Sequence, residues 1–460
     1  MPRPSLRWPT IKTRDPVLLA AASVWALLFG MLMLMLGNGL QGTLIGVRAT
    51  DEAFAANVVG LIMSAYFVGF LAGSRFTPFL ITQVGHLRVF AALASLSSVS
   101  ILVHSLLVDP WVWVGMRVIT GFAFAGIYIV TESWLNDRVT NEHRGGLLSI
   151  YMIVSYAGLT GGQLLLNIAD PGLHDLFIII AILVSVAAVP ILLVVTQTPK
   201  VQEWSALGPR QLFRESHLGA VGAVTSGVVI GAILGMGPVY AASTGMTIGE
   251  ISLFMAAVIG AGAVAQWPIG RYSDRLDRRK VILGATLIGG LAALLAATLT
   301  LLLDHSAARL MSLMGAVVGA AGLALYPLFA AYTNDRVRPD QMVGAGSSLI
   351  MLYGAGAIAG PLLAGEFMQH LGPSGFFWLL AVTMLGLAVF TVWRIRHGRP
   401  IKISEQSRWA HLQGLTRELL PAWLDTVLPE VFGDRRPPKA DETAGDTAAR
   451  QSEPSPEDRP

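Results

Sequence analysis

Apolar residues fall into twelve runs along this chain, at about 17–41, 57–81, 87–107, 111–134, 145–168, 174–196, 218–241, 249–271, 279–303, 306–331, 341–368 and 374–394, with short polar stretches between them. Each run is near or above the ~20 residues that a helix needs to cross the hydrocarbon core of a bilayer. The first run follows Arg3, Arg7, Lys12 and Arg14 and is too long for the apolar core of a cleaved signal, so it reads as an uncleaved span. The pattern predicts an all-α integral membrane protein with twelve transmembrane helices. A longer polar stretch from Gln197 to His217, with Pro199 and Pro209, divides them six and six. The expected organisation is an N-terminal segment 1–16, a six-helix bundle 17–196, a linker 197–217, a second six-helix bundle 218–394, a juxtamembrane segment 395–433 and a disordered tail 434–460.

Charge in the short loops sets the sidedness. On the side of the N-terminus the loops carry 21 Lys and Arg, whereas the opposite side has only Arg48 and Arg309. Both termini are therefore expected in the cytoplasm. After the last run, Trp409, Leu412, Leu415, Leu419, Trp423 and Val427 recur at three- and four-residue spacing. This suggests an amphipathic helix, lying either on the inner leaflet or on the cytoplasmic face of the bundle.

Composition agrees and narrows the chemistry. The chain has 460 residues, 53% hydrophobic and 13% charged, with a mean hydropathy of +0.61. Soluble domains average about 25% charged residues. With no cysteine there is no thiolate metal site, catalytic thiol or disulfide framework. The basic residues are spread over many loops rather than gathered in one patch, which argues against a nucleic-acid partner. No metal-ligand spacing, nucleophile elbow or paired-carboxylate site indicates an enzyme, and no cofactor is expected.

An internal repeat divides the chain in the same place. Asn136-Asp137-Arg138-Val139 recurs 198 residues later as Asn334-Asp335-Arg336-Val337, and the same offset aligns Gly121 with Gly319, Tyr128 with Tyr326, Trp134 with Tyr332 and Gly162 with Gly360. Matching polar residues framed by matching apolar runs mark a duplicated bundle, an architecture common among transporters.

Against this apolar background the polar residues inside spans stand out. Arg117, Gly121, Ala125, Tyr128 and Glu132 fall on one stripe of span 4. An Arg within a span costs roughly 3 kcal/mol on insertion scales, so it pairs, lines water or binds substrate. Fifteen residues at about 1.5 Å each separate Arg117 from Glu132 by roughly 22 Å, which excludes a pair between them. Arg75, near the inner end of span 2, reads as a side chain snorkelling to the headgroups. Asn38 and Gln41 on span 1, Gln163 and Asn167 on span 5, Gln266 on span 8 and Tyr353 on span 11 either join helices or line a cavity. The strings around Gly260 and Gly354 superficially match a dinucleotide fingerprint, but they lie inside apolar helices, where small residues permit close packing instead. Between spans 8 and 9, the segment from Gly270 to Lys280 concentrates Arg, Lys and two Asp residues; an Asp at a helix N-terminus is favoured there and can also hold neighbouring Arg side chains.

At these residues the chain resembles the major facilitator superfamily, over about residues 17–396. Gly270, Asp274, Arg275, Arg278 and Arg279 look like that family's G-x-x-x-D-R-x-G-R-R loop, with Asp277 in place of the second Gly. In the first half Gly85 and Arg88 remain, but Pro78 and Thr82 stand where Gly and Asp are usual. Arg117-x-x-x-Gly121 is similar to the family's span 4 signature. Gly158, Gly161 and Gly162 match its antiporter signature only weakly, without the Pro. Glu132-Ser-Trp-Leu-Asn136, with Tyr151 and Met152 beyond Arg144-Gly145, is similar to a bacterial branch whose substrates are largely unassigned.

The resemblance implies a central cavity between two halves, formed by spans 1, 4, 7 and 10, with Asn38, Gln41, Arg117, Tyr128, Tyr240 and Tyr326 as its polar lining. It implies a small organic solute as cargo, anionic or neutral by complementarity to Arg117, the lipid bilayer as surroundings and a monomeric protein. Protons are a candidate coupling ion, with Glu132 and Arg117 as candidate carriers. A cytoplasmic gate of Asp274, Arg275, Arg278, Arg279 and Gly145 is implied, with Asp274 set against the start of span 5 in the outward-open state. Multidrug efflux by antiport, and a non-transporting sensor or scaffold acting through the tail, are the alternative readings.

Overall fold

The structure, a computed structural model, describes residues 24–137, 144–194, 209–302, 308–338 and 341–397. The segment from Trp409 to Val427, the tail, and Arg138 and Val139 of the first repeat motif lie outside them. Among the described residues, twelve helices are long and apolar enough to span a bilayer. They are α1 (Trp25–Asp51), α2 (Ala56–Val84), α3 (His86–Leu106), α4 (Pro110–Asp137), α5 (Arg144–Leu164), α6 (Asp175–Val194), α7 (His217–Ser243), α8 (Ile248–Arg275), α9 (Arg278–Leu302), α10 (Ala308–Asn334), α11 (Met342–Leu371) and α12 (Gly375–His397). A short helix, Pro209–Glu215, precedes α7. In lipid every backbone N–H and C=O must be satisfied within the segment, so a long apolar run has helix as its open-chain solution.

Local signals set the helix starts. Asp109 Oδ1 accepts from the Trp111 and Val112 amides at 2.9 and 3.0 Å and caps α4. Thr247 and Glu250 form a capping box on α8. Asp277 Oδ1 accepts from the Arg279 amide at 3.0 Å at the start of α9. The first span differs from expectation at its end: α1 runs on through Thr43, Gly46 and Arg48 to Asp51, well past Gln41. Those extra turns are stable because Thr50 bonds the Gly46 carbonyl at 2.9 Å, Arg48 pairs with Glu52 at 2.6 Å, and the helix keeps a partner in α7.

The repeat seen in the sequence is a repeat of packing. In the first half α1 packs on α5, α2 on α4, α3 on α6 and α3 on α4; in the second, α7 packs on α11, α8 on α10, α9 on α12 and α9 on α10. Small residues make the closest of these contacts. A Cβ on Gly227 of α7 would sit 2.0 Å from the Tyr353 carbonyl oxygen, and one on Gly356 of α11 would sit 2.0 Å from the Val224 carbonyl oxygen, so the backbones themselves touch. The glycine string on α11 is thus a packing seam.

The halves meet through α1 with α7, α2 with α11 and α7, and α5 with α8, while α4 and α10 make no comparable contact across them. Most of these contacts lie toward the face where α1 ends and α7 ends, here called the far face. There Gly60 approaches Pro361, Gly46 approaches Pro238, and Asn167 Nδ2 donates to Ser252 Oγ at 2.9 Å. Toward the other face, where α1 begins, no such contact joins α4 to α10 among the described residues.

Candidate functional site

The span 4 stripe does not look into open space along its whole length. A Cβ on Gly121 would meet the Tyr66 carbonyl oxygen at 1.9 Å, and one on Gly73 would meet the Ala125 Cβ at 3.0 Å, so the middle of the stripe is a seam with α2. Arg117 is drawn into that seam. It is 5% exposed, with its guanidinium 4.5 Å above the Tyr66 ring and Nη2 3.9 Å from Met63 Sδ. Its Nε has no hydrogen-bond partner, and no carboxylate among the described residues pairs with it.

The other cavity candidates divide. Asn38 is half-buried and donates to the Tyr128 hydroxyl at 3.4 Å, which itself reaches Met35 Sδ at 3.2 Å. The rings of Phe70 and Phe124 lie 5.9 and 6.3 Å from Tyr128. In the second half Tyr326 is half-buried with its ring 4.7 Å from Tyr353. Asn38 and Tyr128 thus form an aromatic and amide cluster in the first half, and Tyr326 and Tyr353 an aromatic pair in the second. Gln41 is instead completely buried, with neither amide atom hydrogen-bonded. Tyr240 is also misplaced by the sequence reading: it is fully buried inside the second bundle, stacked on Phe376 at 5.3 Å, edge-on to Phe377 at 4.8 Å, and bonded to Thr300 Oγ1 at 3.0 Å. The face of α7 toward the other half is taken by Pro238 and Val239 against Gly46, which turns Tyr240 inward.

Glu132 is exposed near the C-terminal end of α4, and Tyr151 of α5 donates to its Oε1 at 3.4 Å. Gln266 of α8 donates to the Tyr156 hydroxyl of α5 at 2.7 Å, and Ser64 of α2 to the Ile358 carbonyl of α11 at 2.6 Å, so neutral polar residues do join the halves. Gln163 bridges α5 to α1 through Thr43 and, at 2.9 Å, the Gly39 carbonyl. Arg75 is exposed.

In the loop between α8 and α9 the structure finds a clamp. Arg278 is 1% exposed; its Nε donates to Asp335 Oδ2 at 2.6 Å, Nη1 donates to Ser273 Oγ at 3.0 Å, and Asp274 lies 3.6 Å away. One guanidinium thereby ties together the ends of α8, α9 and α10. Arg279 pairs with Asp277 at 2.7 Å and Arg275 is exposed. Burial works to raise the Asp277 carboxyl, but side-chain and backbone hydrogen bonds from Arg279, with the charges of Arg279 and Lys280, hold it below the ordinary value. Asp274 pairs with Arg278 within its own half, and Gly145 lies among the residues whose side-chain surroundings are not described. At the corresponding turn of the first half, Gly85 adopts φ 85° and His86, buried, packs against Trp134.

Sequence reasoning missed Met63 and Tyr66 as the cover of Arg117, and it missed His104. A lone His in span 3 was the available signal for the last; nothing local marked the others.

A sequence profile for the Major Facilitator Superfamily matches residues 27–260 and again 219–433. The chain belongs to that superfamily. Among its superfamily relatives, the uncharacterized MFS-type transporter YcaD of Escherichia fergusonii is 30% identical over 363 residues, covering 78% of this chain and 92% of that one. The YcaD protein of Salmonella typhimurium is likewise 30% identical over 363 residues. Among solved superfamily structures, the nucleoside transporter NupG aligns with a TM-score of 0.65 at 15% identity, covering 82% of this chain and 99% of that one. A bacterial homolog of the human lysosomal transporter Spinster, in an inward-facing and occupied conformation, aligns with a TM-score of 0.67 at 15% identity, covering 84% and 99%. This superfamily member is a multi-pass transporter of the bacterial inner membrane, with a small-molecule solute as its cargo.

Proposed function

We propose that this transporter moves a small organic anion by alternating access, with Arg117 as the group that recognises its charge. The observation that carries the reading is the uncompensated burial of Arg117. Taking a cation out of water costs several kcal/mol even after relaxation. A desolvated ring contact such as that with Tyr66 returns about 2 kcal/mol. The remainder favours a state in which an anion sits on the guanidinium, and the aromatic and amide groups of Asn38, Tyr128, Tyr326 and Tyr353 offer a surface for the organic body of that anion.

The excess of Lys and Arg in the loops beside the N-terminus supports a cytoplasmic placement for the face where α4 and α10 lack contact, and with it an inward-facing conformation. One chain supplies both halves of the cavity, which suits a monomer. Rocking the halves about the α2–α11 and α5–α8 contacts closes the cytoplasmic ends of α4 and α10 and parts the far face, where Gly60 meets Pro361. The Arg278 clamp makes the ends of α8, α9 and α10 move as one piece. Protons are the proposed coupling ion, and Glu132 is the carboxylate on α4 that water reaches from the cytoplasm.

The test is the thermal stability of the detergent-purified protein, wild type and Arg117→Ala, against pools of organic anions, neutral solutes and cations. A ligand at about 100 times its Kd that binds only the folded state adds roughly 2.7 kcal/mol, which a melting curve resolves. An anion pool that stabilises wild type but not Arg117→Ala supports the reading. Stabilisation by cations alone refutes it and points to drug export.

A further inference from the structure

His104 on α3 is fully buried. Its Nδ1 lies 2.8 Å from the Ser100 carbonyl oxygen, which makes that nitrogen the N–H donor, and its Nε2 has no partner. The ring packs on Trp113 at 5.8 Å, one turn before Arg117 on α4. One turn back along α3, Ser100 Oγ donates to the Met116 carbonyl at 2.8 Å and lies 3.0 Å from Thr120 Oγ1. These contacts register the Ser97, Ser100 and His104 face of α3 against α4 from Trp113 to Thr120, and Arg117 falls inside that stretch. Ser97 Oγ, also buried, lacks a partner.

Arg117 is the charged side chain of α4 nearest this contact, one turn beyond Trp113. At the end of α1, next to Phe54, whose ring lies 5.5 Å from Trp113, Arg48 pairs with Glu52 at 2.6 Å. Asp109 caps α4 through the Trp111 and Val112 amides. His174, just before α6, bonds Ser105 Oγ at 2.6 Å on the adjacent exposed face, next to Asp175. On α2, Tyr66 lies against Arg117, and Arg75 is exposed toward the other end of the helix.

Arg117 lies where α4 packs on α2 and His104 where α4 packs on α3, and two cations about one helical turn apart in a dry bundle repel each other, a repulsion that an anion on Arg117 offsets. We propose that His104 is the proton-binding residue of this transporter, loaded when an anion occupies Arg117 and emptied when the anion leaves, so that one monoanion crosses with one proton. The proton adds to the Nε2 lone pair and turns neutral imidazole into imidazolium; no bond in the cargo is made or broken. The proposal rests on the reading of Arg117 as the anion site. It moves the coupling group from Glu132, roughly 22 Å along α4 from Arg117, to a side chain within the field of Arg117.

Two readouts on the full chain in lipid nanodiscs test it. In the first, ¹⁵N-histidine spectra follow the His104 signal, assigned by its loss in His104→Gln, across pH in wild type, Arg117→Gln and Arg117→Lys. Removing the Arg117 charge is expected to let His104 take up its second proton at a pH higher by about one unit, with Arg117→Lys behaving as wild type. Arg117→Met, which fills similar volume without charge, serves if Arg117→Gln does not fold. In the second, a pool of acetate, lactate and benzoate is added to weakly buffered protein, and proton uptake is read with an indicator dye. Uptake near one proton per chain that His104→Gln loses is the expected result. A His104 titration identical with and without the Arg117 charge, or uptake unchanged in His104→Gln, overturns the proton assignment and leaves anion binding to be judged by melting curves alone. Melting curves insensitive to every anion pool remove the cargo reading itself, whatever His104 does.

Discussion

The Arg278 clamp offers the sharpest test of how the second bundle is held together. Arg278 and Asp335 are 1% and 2% exposed and 2.6 Å apart, at the start of α9 and just past the end of α10. Replacing Arg278 with Met keeps the volume but takes from the Asp335 carboxylate its 2.6 Å donor in a dry site. Breaking one side of a buried pair in this way costs about 3–5 kcal/mol. If the second half unfolds as a unit of 150–250 residues, at about 2–4 °C per kcal/mol, the melting temperature should fall by roughly 6–20 °C. Arg278→Met with Asp335→Leu removes both charges, and apolar replacement of a whole buried pair is often neutral, so the double variant should recover most of the loss. The assay is the melting temperature of wild type, both single variants and the double variant in one detergent. A single variant that melts with wild type, or a double variant no better than the worse single one, would refute the claim that the pair is a desolvated clamp.

Two further outcomes follow from the geometry. A Cβ on Gly60 would lie 2.5 Å from the Pro361 carbonyl oxygen, so Gly60→Leu should wedge the far face open; with no native cysteine in the chain, a single Cys at Met63 should then label faster from that side, and an unchanged rate removes this contact from the gate. Asp277 titrates below its ordinary value near 3.8, so its stabilisation is complete above that value and is lost as pH falls through the lower native one. The melting difference between wild type and Asp277→Asn should therefore be constant from neutral pH down to about pH 5 and shrink below pH 4, and a difference that grows on acidification contradicts the Arg279 pairing.

Much of the fold was legible because its signals are local. Twelve apolar runs, loop charge and the 198-residue offset are readable without knowing any contact between helices, since bilayer thickness acts on each span separately. The repeat even anticipated the packing, as α1 on α5 recurs in α7 on α11. The family resemblance around Gly270, Asp274 and Arg117 likewise rested on short motifs, and the superfamily profile agrees with it.

The site was less legible, because a polar residue in an apolar helix shows its height along the span but not its direction. Tyr240 and Tyr326 occupy spans with the same expected role, yet the contact of Gly46 with Pro238 turns one into an aromatic core while the other stays half-buried beside Tyr353. Arg117 was identified as a residue needing an explanation, but its cover by Met63 and Tyr66 depends on how closely α2 approaches α4. Asp335 stood out in the repeat without its partner Arg278, which lies 57 residues earlier. The sequence alone determined how many times the chain crosses the membrane, its expected sidedness and its twofold plan, because hydrophobic length and loop charge act segment by segment. Only the tertiary structure decided which polar side chains meet, since the direction each helix face points is set by neighbours distant in the chain.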